Sequence, residues 1–202
     1  MIAGPNGSGK STLIAALRAD SRFDLPDLYI NADDLQCDRG LGNAREAQHL
    51  AIKLRAEAIA RRHDVMYETV MSHPSKIAEL QAAKNAGYHI TVLLVATGDP
   101  DVNVNRVAVR VAAGGHDVPE ARIRGRYTRM LALAPAAIAL ADQAVVFDNT
   151  GGGETGLGLS QQAVLFGRCL LGNYDAVLLP WVARLIDQIN NNIAAVTANP
   201  AP

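Results

Sequence analysis

The 202-residue chain has little of what most readily announces a protein's chemistry. Its two cysteines, Cys37 and Cys169, lie far apart and outside any CxxC or Cys/His cluster, which excludes a zinc finger and a disulfide framework. Both are expected to be reduced thiols of the core. Net charge is almost absent: 19 Lys+Arg against 20 Asp+Glu leave -1, so the sequence-independent pull that a basic protein exerts on DNA or anionic lipid is missing. Long apolar runs are missing too. The most apolar stretch, Met130 to Ala141, is too short to span a bilayer and is interrupted by Pro135. Met1-Ile2-Ala3-Gly4-Pro5 has neither a basic n-region nor an apolar h-region. No period repeats, which excludes a solenoid. These absences lead to the expectation of a cytoplasmic, soluble protein with neither nucleic acid nor membrane as partner.

What is present suits one compact domain. Apolar residues make up 49% and charged residues 19%, enough for a core and against disorder. Strand-like apolar runs alternate with helical spacing, the pattern of an α/β fold with a mostly parallel central sheet flanked by helices. Helices are expected at Lys10–Ala19, from an Asn43/Glu46 capping box to about Arg62, at Ser75–Ala86, from Asp99-Pro100 to Gly114-Gly115, from Pro119 to about Ala141 with a kink at Pro135, and at Trp181–Ile193. Strands are expected at Leu28–Asn31, Val65–Glu68, His89–Ala96 (a central one, by its Val, Ile and Leu) and Ala144–Phe147. Five glycines in Gly151–Gly158 read as a flexible loop, Ala163–Leu171 as a hairpin or edge strand, and the tail to Pro202 as fraying. The whole of 1–202 is thus one domain, with its core motifs in 1–150 and a C-terminal hairpin and helix in 160–195.

The strongest signal is Gly4-Pro5-Asn6-Gly7-Ser8-Gly9-Lys10-Ser11. It matches G-x-x-x-x-G-K-[ST], a loop whose successive backbone N–H groups point at a nucleotide's phosphates. Its glycines let the backbone wrap closely. Lys10 is expected to reach the β and γ phosphates and Ser11 to place its hydroxyl on Mg²⁺. The helix behind, which begins Lys10-Ser11-Thr12, adds its positive end. Only Met1, Ile2 and Ala3 precede the loop as strand, so either the first strand is very short or residues that would pair in mid-sheet stand before the recorded start.

The remaining motifs separate kinds of P-loop protein. Leu159-Ser160-Gln161-Gln162 lacks the glycines of an LSGGQ signature, and Leu93-Leu94-Val95 is followed by Ala96-Thr97 rather than Asp-Glu. Short P-loop kinases need only the cradle, a base for the acceptor hydroxyl and cations over the transferring phosphate. Tyr29-Ile30-Asn31-Ala32-Asp33-Asp34 ends a strand in carboxylates, at the edge where open α/β sheets bind ligands. Asp33 is the preferred base; Asp34 is either the N-cap of a helix or a substrate contact. Glu68-Thr69 ends the next strand at the same edge and offers hydrogen bonds to an acceptor. Fifteen of the nineteen cations are Arg, and six lie between Arg106 and Arg129, opposed only by Asp117 and Glu120. Arg106 with Arg110, and Arg122 with Arg126, share helix faces at i,i+4 and could converge on phosphate oxygens; a compositional bias toward Arg, in a chain with 34 alanines, is the alternative. His49 and His63 are expected in solvent and His89 at a strand start. His116 is the one histidine placed at the site.

In these residues the chain resembles the zeta-toxin-like P-loop kinases, including the branch described as predicted ABC-type ATPases. The resemblance rests on Gly4–Thr12, Ile30-Asn31-Ala32-Asp33-Asp34-Leu35, Tyr67-Glu68-Thr69 with Ser72, and Arg106–Tyr127 with Gly114-Gly115-His116-Asp117-Val118-Pro119. It covers roughly 1–150. It implies an ATP-dependent kinase acting on a nucleotide sugar, UDP-N-acetylglucosamine being the familiar acceptor, often with an antitoxin as partner. Carried over, Lys10 and Ser11 hold ATP and Mg²⁺, Asp33 is the base, and Glu68, with Thr69 and Ser72, faces the substrate. One phosphate-binding arginine falls on Arg106 or Arg110. The family's second position, before Val118-Pro119, is His116 here, so that arginine falls on Arg122 or Arg126. Arg110 and Arg126 are the candidates over the transferring group, with Arg106 and Arg122 for the rest of the nucleotide. Two rivals are a P-loop NTPase without a small-molecule acceptor and a nucleotide-dependent binding module in which Asp33 only caps a helix.

Overall fold

The computed structural model describes residues 1–152, 158–167, 169–172 and 178–198. Seven strands form one sheet: β1 Ile2–Ala3, β2 Leu28–Ile30, β3 Val65–Thr69, β4 Thr91–Ala96, β5 Gln143–Asp148, β6 Ser160–Phe166 and β7 Cys169–Gly172. The helices are α1 Lys10–Ala19, α2 Ala32–Asp38, α3 Ala44–Ala60, α4 Ser75–Asn85, α5 Pro100–Ala112, α6 Glu120–Leu140 and α7 Pro180–Ala198. The strand order is β2-β3-β1-β4-β5-β6-β7. The first five are parallel, joined by helical crossovers, and β6 and β7 add an antiparallel hairpin at one edge. The expected central strand is central: β4 is fourth of seven.

β1 has two residues but sits between β3 and β4, with Ile2 opposite Glu68 and Leu93. The Met1 amino group donates to the Thr91 carbonyl at 2.8 Å, and the Met1 carbonyl accepts from Leu93 N at 2.9 Å, which extends the pairing by one residue. Because the chain leaves β1 toward β2 on one side and later fills β4 and β5 on the other, the strand order reverses beside β1. The loop after β1 opens at that switch point, where open α/β sheets form their ligand crevice.

Side-chain alternation sorts the core into two faces. Leu93 and Val95 of β4 pack with Ile2, Leu13 and Ile14 under α1. Val92, Leu94 and Ala96 face α4, α6 and α7 with Met130, Ile138, Val182 and Leu185. Ala134, Ala137, Ala144 and Ala163 are all fully buried on that second face; their small side chains let α6 lie close on the strands. α6 runs through Pro135 without ending. α5 and α6 have a smaller core of their own, Val107, Val118 and Ile123.

Three expectations need correction. Asn31, not Asp34, caps α2: its side chain accepts from Asp33 N at 2.9 Å, because Asn31 is still extended while Asp33 and Asp34 are already in the first turn. Asn43 does cap α3, but Glu46 returns its carboxylate to the Asn43 side chain at 2.8 Å. Cys37 and Cys169 are exposed rather than core thiols, since one ends α2 on its solvent side and the other starts the edge strand. The expected glycine loop at 151–158 lies largely, and the end of the tail wholly, outside the described residues. Among those described, no helix is long and apolar enough to cross a membrane.

At the opposite end of the sheet, Asp142 ties β4, β5 and α4 together. Its carboxylate accepts from Ile90 N at 2.8 Å and pairs with Lys84, with His89 4.0 Å away. The Lys84 contact, then the Ile90 one, hold this carboxyl below its ordinary range. A depressed carboxyl contributes stability above about pH 4 and loses it as pH falls through the folded value. Asp142→Asn is expected to cost about 1 kcal/mol at pH 7, with the gap from wild type narrowing as pH falls below the ordinary carboxylate range of about 4. Urea titrations at neutral pH and below that range measure it; an equal gap at both would remove the ion pair from the account.

Candidate active site

The Gly4–Ser11 loop is pinned from three directions. Gly4 N donates to Thr69 O at 3.2 Å. The buried Asn149, just past β5, donates through Nδ2 to Ser8 O at 2.8 Å. The buried Asn103 of α5 donates to Asn6 O at 2.8 Å and bonds Thr97 Oγ1 through its own amide oxygen at 2.5 Å. These buried amides satisfy the loop's carbonyls from behind, which leaves its N–H side toward the cavity. Glycine is required by this closeness. A Cβ at Gly4 would stand 2.1 Å from Val95 O, and one at Gly7, where φ is +75°, 2.6 Å from Asn103 O. Of the loop residues, Asn6, Gly7, Gly9, Lys10, Ser11 and Thr12 line the cavity; Gly4, Pro5 and Ser8 form its buried back.

The cavity has a volume of about 720 Å³, within the range of small-molecule sites. It gathers most of the candidate residues: Asp33 from the start of α2, Glu68 and Thr69 from the end of β3, Ser72 beyond it, and Arg106, Arg110, His116, Arg122 and Arg126 from α5, α6 and the turn between them. Asp34 does not line it. The Asp34 carboxyl is pushed above its ordinary range, first by burial and then by Glu68.

The cations are held by neutral oxygens. Lys10 Nζ donates to Pro5 O at 3.1 Å, Arg110 to His116 O at 3.0 Å, and Arg126 to Asn6 Oδ1 at 3.0 Å. Arg106 donates to Asn149 O at 2.7 Å. Desolvation lowers the Lys10 ammonium, opposed by the charges of Glu68 and Asp33. Burial also lowers Arg126, and neighbouring Arg122 and Arg129 add to the effect. Cations crowded and partly desolvated in this way favour an anion between them. By contrast, Arg124 points outward to Asp101 at 2.6 Å and Glu120 at 2.8 Å.

Sequence reasoning missed part of the wall. Gln48, Ala51, Ile52 and Arg55 present one face of α3 to the cavity, and Lys76 and His73 join them; His116 is therefore not the one histidine there. Arg55 is buried over the Tyr67 ring, 4.9 Å from its centroid, and pairs with Glu79 at 3.1 Å, which Lys76 also contacts. The i,i+3,i+4,i+7 spacing from Gln48 was the signal available, but an Arg in an apolar stripe usually snorkels to solvent. Beside this wall Met71 takes φ +51° with its N–H on Thr69 Oγ1 at 3.0 Å, a left-handed turn that no spacing rule announces.

Gly7→Ala is expected to destabilise the fold by about 1–3 kcal/mol and to weaken binding of an ATP analogue, read by thermal melts and calorimetry. Gly42→Ala, in open space at the approach to α3, should change neither. A Gly7 variant that behaved like the Gly42 variant would show that the loop has room the structure denies it.

With this geometry in place, comparison with known proteins is specific. The sequence profile of the Zeta toxin family matches residues 42–152, more than half of the chain. An uncharacterised protein of Haemophilus influenzae (strain ATCC 51907 / DSM 11121 / KW20 / Rd) is 30% identical over 128 residues, 61% of this chain and 88% of its own length. The crystal structure of AvrRxo1-ORF1:-ORF2 with ATP is similar with a TM-score of 0.62 at 14% identity, over 93% of this chain and 62% of that one. The crystal structure of AvrRxo1-ORF1:AvrRxo1-ORF2 with sulphate ions gives 0.61 at 14% identity, over 92% and 62%. This chain thus spans less than two thirds of those solved chains, and the likeness is one of fold, an α/β domain with a mostly parallel sheet between helices. On the profile match, the chain belongs to the Zeta toxin family.

Proposed function

We propose that the protein is an ATP-dependent phosphotransferase that moves the γ-phosphoryl group of ATP to a hydroxyl of a small metabolite, with a nucleotide sugar such as UDP-N-acetylglucosamine as acceptor. The observation that carries this reading is the meeting, in one cavity, of the glycine loop, Asp33 and cations from α5 and α6. The family supports it, as does the fold shared with a protein whose crystal structure was obtained with ATP.

In this reading the loop N–H groups, Lys10, Arg106 and Arg122 hold the triphosphate. Lys10, Arg110 and Arg126 balance the charge that spreads over the transferring group. The acceptor hydroxyl gives its proton to Asp33 while its oxygen forms the new P–O bond and the bond to the ADP oxygen breaks. Asp33 lines the same cavity as Lys10 and Arg126, which supports a role for its carboxylate near the phosphates. Thr69, Ser72 and His116 face the acceptor, and Glu68 stands between acceptor and loop. Asp34 stands outside the cavity wall.

The donor set fits a hard cation. Ser11 Oγ and Glu68 Oε1 lie 3.3 Å apart beside the loop, and Mg²⁺ takes few protein oxygens and completes its shell with water and phosphate. Among the described residues no group of three or more His, Cys, Asp or Glu could hold a metal. When bound, Mg²⁺ would neutralise the β and γ oxygens. An antitoxin protein is the proposed partner, supported by the family's description and by the paired reading frames of the AvrRxo1 complex.

Incubation with ATP labelled at the γ position and a panel of nucleotide sugars tests the reading. A labelled sugar is expected; phosphate release alone would make the protein an NTPase, and neither product would make it a binding module. Asp33→Asn should keep ATP binding and slow transfer roughly 10²- to 10⁴-fold, measured as transfer per bound ATP. Lys10→Ala should abolish transfer, and wild-type turnover in that variant would refute the role given to the loop.

A further inference from the structure

The cavity carries positive charge on a second wall, away from the loop. Arg55 of α3 and Lys76 of α4 line it, with Gln48, His73 and Ser75 beside them. α3 stands over the β2–β3 side of the sheet, where Ala51 packs with Ile30 and Tyr67, whereas the loop is enclosed by β4 and α5. One carboxylate serves both cations. Glu79 Oε2 accepts from Arg55 Nε at 3.1 Å and lies 3.1 Å from Nη2, while Glu79 Oε1 accepts from Lys76 Nζ. Glu79 is not among the residues that line the cavity: the acid stands behind and the two cations in front.

The Arg55 side chain is 7% exposed and that of Lys76 16%, so neither carries its charge out to water as surface cations do. Tying α3 to α4 through Glu79 needs only one cation. The second adds repulsion in a partly desolvated wall, and an incoming anion relieves it. Burial lowers the Lys76 ammonium, against the hydrogen bond to Glu79, and the Arg55 charge lowers it further. The Arg55 guanidinium lies over the Tyr67 ring, 4.9 Å from its centroid, so its planar fork is oriented before a ligand arrives. α4 begins at this wall with Ser75 and Lys76, and the positive end of its dipole adds to the field. His73 Nδ1 accepts from Ser75 N at 3.2 Å, which leaves the proton of the neutral ring on Nε2 as a further donor.

We propose that the α3–α4 wall is an anion subsite for the acceptor: Arg55 and Lys76 hold a phosphate or carboxylate group of the acceptor, whose hydroxyl lies toward Asp33 in the same cavity. Both kinds of group offer the paired oxygens that suit a guanidinium fork. The acceptor is then selected by its own negative charge, and the same sugar without that charge binds far more weakly. Glu79 is the positioning residue of the subsite. It keeps the empty wall from carrying two uncompensated charges and holds both cations at the cavity surface. The assignment rests on the phosphotransferase reading above, and adds to it where the acceptor's charge is held and by which side chains.

Calorimetry on the full chain saturated with a non-hydrolysable ATP analogue, so that the loop is already occupied, tests this without turnover. The probes are UDP-N-acetylglucosamine, N-acetylglucosamine 1-phosphate, glucuronate and uncharged N-acetylglucosamine. The best of the three charged probes is expected to bind about 10-fold or more tightly than the uncharged sugar, and which one it is separates phosphate from carboxylate. Arg55→Gln and Lys76→Gln should each weaken that probe roughly 10- to 100-fold, the cost of a lost hydrogen bond between charged groups, and leave the uncharged sugar as in wild type. Glu79→Gln, which keeps both cations, should bind the same probe at least as tightly as wild type. Melting curves show whether each variant is folded, and Lys76→Gln, at the more exposed position, decides if Arg55→Gln is not. An ion pair that only joins two helices gives a different pattern: Glu79→Gln loses as much affinity as the other two, or none of the three changes it. Either result overturns the proposal, as does a wild type that binds no charged probe better than the uncharged sugar. If the analogue itself does not bind wild type, it is the reading beneath that falls.

Discussion

The backbone of the Gly4–Ser11 loop lies so near β4 and α5 that one added carbon at Gly4 would sit 2.1 Å from Val95 O, and one at Gly7 2.6 Å from Asn103 O. That approach lets two buried amides, Asn103 and Asn149, reach the loop's carbonyls. With the carbonyl side satisfied by protein, the N–H side is left to a ligand, and α1 begins where that ligand's charge would rest. The same contacts connect the loop to α5 and, through Asn6 and Arg126, to α6. Loop and arginine arm are thus hydrogen-bonded to each other through Asn6.

Charge follows from this arrangement. The cations aimed at the cavity donate to neutral oxygens, those of Pro5, His116 and Asn6, whereas Arg124 on the outer face meets two carboxylates. A carboxylate partner would have cancelled the field inside the cavity. A neutral one holds each side chain in place without pairing its charge, so that Lys10 and Arg126 are opposed by acids that share the cavity, Asp33 and Glu68, and partial burial makes that charge count for more than it would in water. Arg55 is the exception on the far wall, where Glu79 accompanies it and Lys76.

The sheet supports the arm at some distance. Fully buried alanines let α6 lie close on β4 and β5, while α5 and the start of α6 stand clear with Val107, Val118 and Ile123 between them. Because that small core belongs to the arm alone, the six arginines are carried on a unit with its own packing. Tyr127 fastens it to the sheet by donating from its hydroxyl to Thr97 O at 2.7 Å.

Several features were legible from residue order because their causes are local. The phosphate loop has fixed offsets, α1 follows it directly, Asn43 and Asp99 cap α3 and α5 through their own side chains, and β4 is apolar enough to be central. Others had no local cause. Asn31 rather than Asp34 became the cap of α2 because backbone angles, not residue type alone, choose among neighbouring acceptors. Arg55 and Lys76 reached the cavity only because α3 and α4 pack where they do. Which acid faces Ser11 was settled by strand order: β3 and β4 both flank β1, β4 ends without an acid, and Glu68 arrives from a segment 57 residues away. Sequence alone determined most of the elements, the loop and the excess of arginine, since each is set by neighbours within a few residues; the tertiary structure alone decided which side chains share the cavity, since that depends on the order in which the strands are laid down.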